Sequence, residues 1–255
     1  MVIGIIGVGV VGSAIKQGFQ DLGHIIKIHD IKLNTTIENV LDTDIIYLCL
    51  PTNSDIDGSC NIKEISKTIK LLSNKKYKGI IAIKSTIIPG TYTKLTKLFD
   101  KERLCTVPEF LREKHAVEDF KNNHNVLVIG TNNEICADKV IESHGNYPKA
   151  VYTITPEECE FVKYFSNVFK AVKITFANSF GKICDKFNID YEHVMLAYNL
   201  ENVAETSYLR YNNKFKGFGG MCLPKDVKAL AKLVEDQKVD VGLFDFILNE
   251  NKKFL

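Results

Sequence analysis

The sequence predicts an α/β fold: an N-terminal, doubly wound parallel sheet, followed by an all-α domain. Three observations carry that prediction. Short apolar runs alternate with helical stretches as far as residue 154, which is the signature of strands joined by crossover helices. A glycine-rich turn links the first apolar run to the first helical stretch. From Thr155 onward the strand signals stop, and an uninterrupted helical pattern begins.

The elements follow in order. Val2-Ile3-Gly4-Ile5-Ile6 reads as a buried strand, then Gly7-Val8-Gly9-Val10-Val11-Gly12 opens a helix running to Leu22. Further strands are expected at His24 to His29, Asp44 to Leu50, Lys78 to Lys84, Arg103 to Val107 and Asn125 to Ile129. Helices intervene, for example at Ile62 to Leu72 and Asn133 to Ser143. The turns Pro51-Thr52-Asn53, Ser85-Thr86 and Pro108-Glu109-Phe110 all begin at strand C-termini, where ligands bind in open sheets. Each taken alone is also consistent with a proline that merely ends a strand. In the second half, Thr155 is placed to cap a helix with Pro156 in its first turn and Glu157 and Glu158 following. That helix is expected to run to about Phe187, with Phe161, Phe165, Phe169, Phe176 and Phe180 among its broad apolar set. Shorter helices follow from Asn188, from Lys225 to Glu235, and from Val241 to Leu255. The expected domains are therefore 1–154 and 155–255.

The 255 residues are 45% hydrophobic and 25% charged with a formal net charge of +2, the balance of a globular protein with room for a large core. No long basic run is present, which argues against nucleic acid or an anionic membrane as the main partner. No apolar run reaches the ~20 residues of a membrane span, and no signal segment is read at the N-terminus. Seven widely spaced cysteines without a C-x-x-C pair fit reduced thiols in a cytosol rather than a disulfide framework, so a cytoplasmic location is expected. The six histidines form no metal-ligand spacing, so no metal is expected.

The first motif with chemistry in it is the N-terminal turn. Gly7 allows the tight turn, Gly9 lets backbone approach a pyrophosphate, and Gly12 lets helix and strand pack closely. Asp30, which ends the second strand, can accept both ribose hydroxyls and would repel a 2′-phosphate. Strand, glycines, helix, strand and acid occur in that order, which points to a dinucleotide, NAD rather than NADP. The other reading is a glycine-rich turn of some different α/β fold. The second motif is Gly217-Phe218-Gly219-Gly220-Met221-Cys222-Leu223-Pro224-Lys225-Asp226, which sets a cysteine behind a flexible backbone and beside a cation. Such a cysteine is either an activated nucleophile or an inert buried thiol. Lys163 and Asn167, four apart on one face of the long helix, are positioned to hold an oxyanion or a sugar hydroxyl. The alternative is a snorkelling lysine beside a surface asparagine.

Together these pieces resemble the nucleotide-sugar 6-dehydrogenases, a family that includes the UDP-glucose, GDP-mannose and UDP-N-acetylmannosamine enzymes. The resemblance runs over nearly the whole chain through GVGVVG at Gly7, KSTIIPGT at Lys84, PEFLRE at Pro108, FVKYFSN at Phe161, YNN at Tyr211 and GFGGMCLPKD at Gly217. The wording of PEFLRE and YNN looks most like bacterial UDP-glucose 6-dehydrogenases. The family implies a Rossmann-like NAD domain and a four-electron oxidation of a primary alcohol to a carboxylate. Cys222 matches the nucleophile that forms a thiohemiacetal and then a thioester. Lys163 and Asn167 match the pair that stabilises the oxyanions. Asp226, with a water near Thr86, matches the proton-removing group, and Glu109 a residue implicated in thioester hydrolysis. The implied cofactor-side residues are Gly7, Gly9, Val10, Val11, Gly12, Asp30, Pro51, Thr52, Ser85, Thr86 and Glu113. The implied substrate-side residues are Glu109, Phe110, Leu111, Lys163, Asn167, Tyr211, Asn212, Gly219 and Lys225.

The resemblance also implies two departures. Family members usually carry a C-terminal nucleotide-binding domain, which these 255 residues do not include. Many carry an arginine where this chain has Thr206, with Arg210 one turn away. The implied partners are a nucleotide sugar, UDP-glucose first, a second copy of the chain, and a separately encoded C-terminal domain. Two readings compete: a two-electron hydroxy-acid dehydrogenase, which needs no Cys222, and an NAD-binding pseudoenzyme or partner-dependent subunit.

Overall fold

The computed structural model describes residues 1–201, 208–212 and 216–255, without the side chains of residues 200 and 201. Contacts group the chain into two compact units: Met1–Asn53 with Asn61–Lys163, and Ser54–Cys60 with Tyr164–Leu255. The division falls inside the long helix.

The first unit is built on one sheet. Among the described residues its strands are β1 (Val2–Ile6), β2 (Ile25–His29), β3 (Ile45–Leu48), β4 (Ile80–Ile83), β5 (Leu104–Thr106), β6 (Leu127–Gly130) and β7 (Val151–Ile154), in the order β2-β1-β3-β4-β5-β6-β7. The first five are parallel, as expected. The expectation of an all-parallel sheet is corrected at β6, which runs antiparallel to β5, with β7 parallel to β6. The residues between β5 and β6 are used by the Pro108–His115 turn and a six-residue helix, so the chain enters β6 at the edge where β5 left it. β7 lies outside the expected strands: its four residues, Val151-Tyr152-Thr153-Ile154, are β-prone but mostly exposed at the sheet edge.

Helices α1 (Val10–Asp21), α2 (Lys63–Asn74), α3 (Thr91–Leu95), α4 (Ala116–Lys121) and α5 (Glu134–His144) surround the sheet. Successive residues of a strand point to opposite faces, so a doubly covered strand must be apolar throughout. β3 shows this: Ile45 and Tyr47 enter the core shared with Ile15 and Phe19 of α1, while Ile46 and Leu48 enter the core shared with Ile65 and Ile69 of α2. All four of these β3 residues are fully buried.

The second unit is helical. It takes most of α6 (Pro156–Lys186), then α7 (Tyr191–Glu201), α8 (Leu223–Asp236) and α9 (Leu243–Asn251). The start of α6 is a capping box: Thr155 Oγ1 accepts from Glu158 N at 3.3 Å, and Glu158 accepts from Thr155 N at 3.0 Å. The unit's core joins Val168 and Ala171 of α6 to Phe218, Val227 of α8 and Ile247 of α9. A second cluster joins Ala177 and Cys184 to Tyr191 and Tyr211. Phe165, Phe169, Phe176 and Phe180 of α6 are exposed instead.

Candidate active site

The nucleotide turn lies in the first unit. Gly7 has φ +89, a conformation that side chains disfavour, and its N–H donates to His29 O at 2.9 Å. A Cβ at Gly12 would sit 2.0 Å from Gly7 O, so only glycine lets α1 start against β1. At Gly9 a Cβ would meet nothing within 4 Å, so its backbone is open to a ligand. Asp30 turns back onto this loop and accepts from Val8 N at 2.6 Å and Lys32 N at 2.8 Å. The Val8 N–H above all holds this carboxyl below its usual range, with Lys32 N–H adding to it, so an ionised acid stands at the end of β2. A closed turn, an open glycine and a fixed carboxylate fit a dinucleotide.

The C-terminal ends of β3, β4 and β5 carry the other expected residues of this unit. Thr52 Oγ1 donates to Thr86 O at 2.7 Å, and Ser85 Oγ donates to Leu50 O at 2.8 Å. Pro51 is exposed, as is Glu113. Glu109 accepts from Leu111 N at 2.7 Å with one oxygen and from Lys163 Nζ at 3.1 Å with the other. Lys163 is 6% exposed, with its ammonium 5.6 Å from the centre of the Phe110 ring. This burial excludes the snorkelling arrangement, since the charge is held inside by a carboxylate and an aromatic face.

Lys84 is a neighbour that sequence reasoning passed over. It is 3% exposed, and its Nζ lies 3.5 Å from Val107 O, beneath the Pro108-Glu109 turn. Burial pushes its ammonium down to about 8, while the neighbouring Cys49 and Glu109 pull the other way. The available signal was a lysine closing the apolar strand Ile80–Ile83.

The second unit holds the remaining residues. Cys222 is the N-cap of α8 and is exposed, as are Gly219 and Gly220 before it. One turn into α8, Asp226 is 1% exposed. It accepts from Asn167 Nδ2 at 2.5 Å and from Lys225 Nζ at 2.6 Å, and its own N–H donates to Cys222 O at 3.0 Å. Asn167 is 3% exposed, so it is not a surface asparagine. Two asparagines absent from the expected site hold the glycine loop. Asn178 of α6 accepts from Gly217 N at 2.9 Å. Asn251 of α9 accepts from Phe218 N at 2.7 Å and donates to Phe218 O at 2.8 Å. Polar residues at apolar helix positions were their sequence signal.

Tyr211 is buried, its hydroxyl donating to Asp185 at 2.5 Å and its ring lying against Gly181. Asn212 is half-buried, while Thr206 and Asn213 fall outside the described residues. No group of three or more metal-ligating side chains occurs among the described residues. The seven cysteines form no disulfide.

Residues 28–147 match the NAD binding domain of the UDP-glucose/GDP-mannose dehydrogenase family, and residues 157–253 match the central domain of the same family. The chain belongs to that family. Its N-terminal domain is the family's NAD domain, which agrees with the open Gly9 and the carboxylate at Asp30. A UDP-glucose 6-dehydrogenase of Rickettsia bellii is 29% identical over 225 residues, covering 85% of this chain and 51% of the relative. This chain thus spans about half the length of that curated relative. A solved UDP-glucose dehydrogenase of the archaeon Pyrobaculum islandicum superposes with a TM-score of 0.88 at 25% identity, covering 99% of this chain and 68% of that one. A 3-hydroxyisobutyrate dehydrogenase of Mycobacterium tuberculosis shares the fold, with a TM-score of 0.76 at 13% identity, covering 99% of this chain and 93% of that one. Within this family the likeness to a hydroxy-acid dehydrogenase is one of fold alone. Among the described residues no helix is long and apolar enough to cross a membrane.

Proposed function

We propose that the chain carries the chemistry of a nucleotide-sugar 6-dehydrogenase, oxidising the C6 alcohol of UDP-glucose to a carboxylate. The observation that carries the reading is the buried Asn167–Asp226–Lys225 cluster one turn behind an exposed Cys222. A hydroxy-acid dehydrogenase has no use for that cysteine.

NAD, held by Gly7, Gly9, Gly12 and Asp30 with Val10, Val11, Pro51, Thr52, Ser85, Thr86 and Glu113 around it, supplies the hydride acceptor in each of two oxidations. Asp226, through a water near Thr86, takes the proton from the C6 hydroxyl. The Cys222 thiol adds to the resulting aldehyde: the C–S bond forms as the carbonyl π bond breaks, and the thiol proton passes to water. Lys163 and Asn167 donate to the oxygen that becomes negative in this addition. The second oxidation converts the thiohemiacetal to a thioester. Water assisted by Glu109 cleaves the C–S bond, leaving the carboxylate and returning the thiol. Glu109, Phe110, Leu111, Tyr211, Asn212, Gly219 and Lys225 hold the nucleotide sugar.

The working form in this reading is a cytoplasmic homodimer, which covers the exposed Phe165, Phe169, Phe176 and Phe180 of α6. The deciding experiment offers UDP-glucose, UDP-N-acetylmannosamine and GDP-mannose separately to the purified chain with NAD. Two NADH per UDP-glucose, lost in Cys222→Ser, supports the reading. Full turnover by Cys222→Ser refutes it, and one NADH per substrate favours a two-electron dehydrogenase.

A further inference from the structure

Glu160 is a buried carboxylate for which the proposed chemistry has no use. It lies on α6 one turn before Lys163 and is 3% exposed. Both of its oxygens accept from backbone amides. One accepts from Gly90 N at 2.7 Å and the other from Tyr92 N at 2.5 Å, while the Thr91 N–H between them donates to Ile88 O at 3.0 Å. These amides open α3, whose first turn has no capping side chain of its own. The carboxylate therefore supplies the cap from 68 to 70 residues away in sequence. Burial pushes this carboxyl up to about 7, the Glu157 carboxylate on the same helix adds to that, and the Tyr92 and Gly90 amides oppose it.

What it holds is the far end of the Ser85–Tyr92 segment. The near end is tied to the end of β3, through Ser85 Oγ to Leu50 O and Thr52 Oγ1 to Thr86 O. Between the two ties, Ile87 is buried in the core and Thr91 closes a turn on Ile88 O. Sheet order gives this segment its place along a dinucleotide. The glycine turn follows β1, Asp30 ends β2 on one side of it, and Ser85 and Thr86 follow β4 on the other, beyond β3. A dinucleotide seated on that turn would have its adenosine half toward Asp30 and its nicotinamide half toward Ser85 and Thr86.

We propose that Glu160 is a positioning residue that locks the Ser85–Tyr92 segment to the turn of α6 bearing Lys163, and so shapes the nicotinamide end of the cofactor site alone. The proposal rests on the reading of Ser85 and Thr86 as cofactor-side residues. It separates NAD from ADP-ribose, which has the adenosine diphosphate half and no nicotinamide.

The test compares the unsubstituted chain, Glu160→Gln and Glu160→Asp by amide hydrogen exchange over residues 84–95, by melting temperature, and by dissociation constants for NAD and for ADP-ribose. In Glu160→Gln an amide group replaces one acceptor oxygen and faces an N–H. Exchange at Gly90 to Tyr92 is expected to rise at least ten-fold and the NAD dissociation constant about five- to ten-fold, with ADP-ribose binding changed less than two-fold. Glu160→Asp, which keeps the charge, is expected to recover part of both changes and serves if the glutamine variant does not fold. Unchanged exchange refutes the clamp. Equal weakening of NAD and ADP-ribose, or no weakening of either, refutes the positioning role. None of these readouts uses turnover. A chain that shows the split yet makes no NADH sinks the dehydrogenase reading alone, and a chain that makes NADH without the split sinks the clamp alone.

Discussion

Removing the Asn251 amide is expected to weaken the helical unit and loosen the cysteine loop together. Asn251 is 5% exposed and Phe218 is 2% exposed, so the Phe218 N–H and C=O both lose their partner where water does not replace it. Two hydrogen bonds with net contributions of about 1 kcal/mol each set a floor near 2 kcal/mol, and stranding a buried N–H and C=O raises the loss for Asn251→Ala to about 3–4 kcal/mol. Asn251→Asp separates hydrogen bonding from size. Its carboxylate still accepts from Phe218 N but faces Phe218 O without a donor. At neutral pH it should be at least as damaging as alanine, and it should recover as acid restores an O–H donor. The chain has no tryptophan, so urea unfolding is followed by circular dichroism at 222 nm. The reaction rate of Cys222 with a thiol reagent reports the loop in the same samples, with the six other cysteines read out separately by mass spectrometry. A loss below 0.5 kcal/mol for alanine, or equal behaviour of alanine and aspartate at every pH, would refute the argument.

Three further outcomes are expected. Gly12→Ala places a Cβ 2.0 Å from Gly7 O, so the turn must open, and NAD affinity measured by calorimetry should fall at least ten-fold. Acid should destabilise the first unit, because burial lowers His124 to about 4 and pushes His144 and His24 down too. These histidines bind fewer protons in the folded state than in the unfolded chain below pH ~6.5, so the stability they contribute above that pH is lost toward pH 4. His124 contributes about 3 kcal/mol from its shift and nearer 2 after its partial solvent contact is counted; because Glu160, pushed up to about 7, gains stability as it protonates over the same range, the check is the pH 7-to-5 change measured against His124→Gln, and the same change in both chains would contradict this. Gly181→Ala drives a Cβ into the Tyr211 ring at 2.0 Å and should cost about 1–3 kcal/mol in the helical unit, with a near-neutral melting change counting against that packing.

The five parallel strands, the glycine turn and the long helix were legible because each depends on a local period or a steric need. β3 is apolar at every position because both of its faces are covered, and Gly12 is glycine because the backbone of Gly7 lies where a Cβ would go. β7 was missed because its run is only four residues long; Val151-Tyr152-Thr153-Ile154 is β-prone, but mostly exposed at the sheet edge it marks no buried face, and pairing with β6 makes it a strand. The reversal of β6 was hidden for a related reason, since strand direction leaves no trace in the residues of the strand.

Among the site residues, the sequence established which chemical groups exist and how far apart along the chain they lie: a cysteine behind glycines, a lysine and an amide one helical turn apart, an acid at the end of the second strand. Pairing across long stretches of chain was settled in three dimensions. Lys163 meets Glu109 over 54 residues, Asn167 meets Asp226 over 59, Glu160 meets Gly90 over 70, and Asn251 meets Phe218 over 33. Burial is the physical reason these pairs matter: out of water a charge or an amide must find a partner, and which partner it finds depends on how distant segments pack rather than on any local pattern.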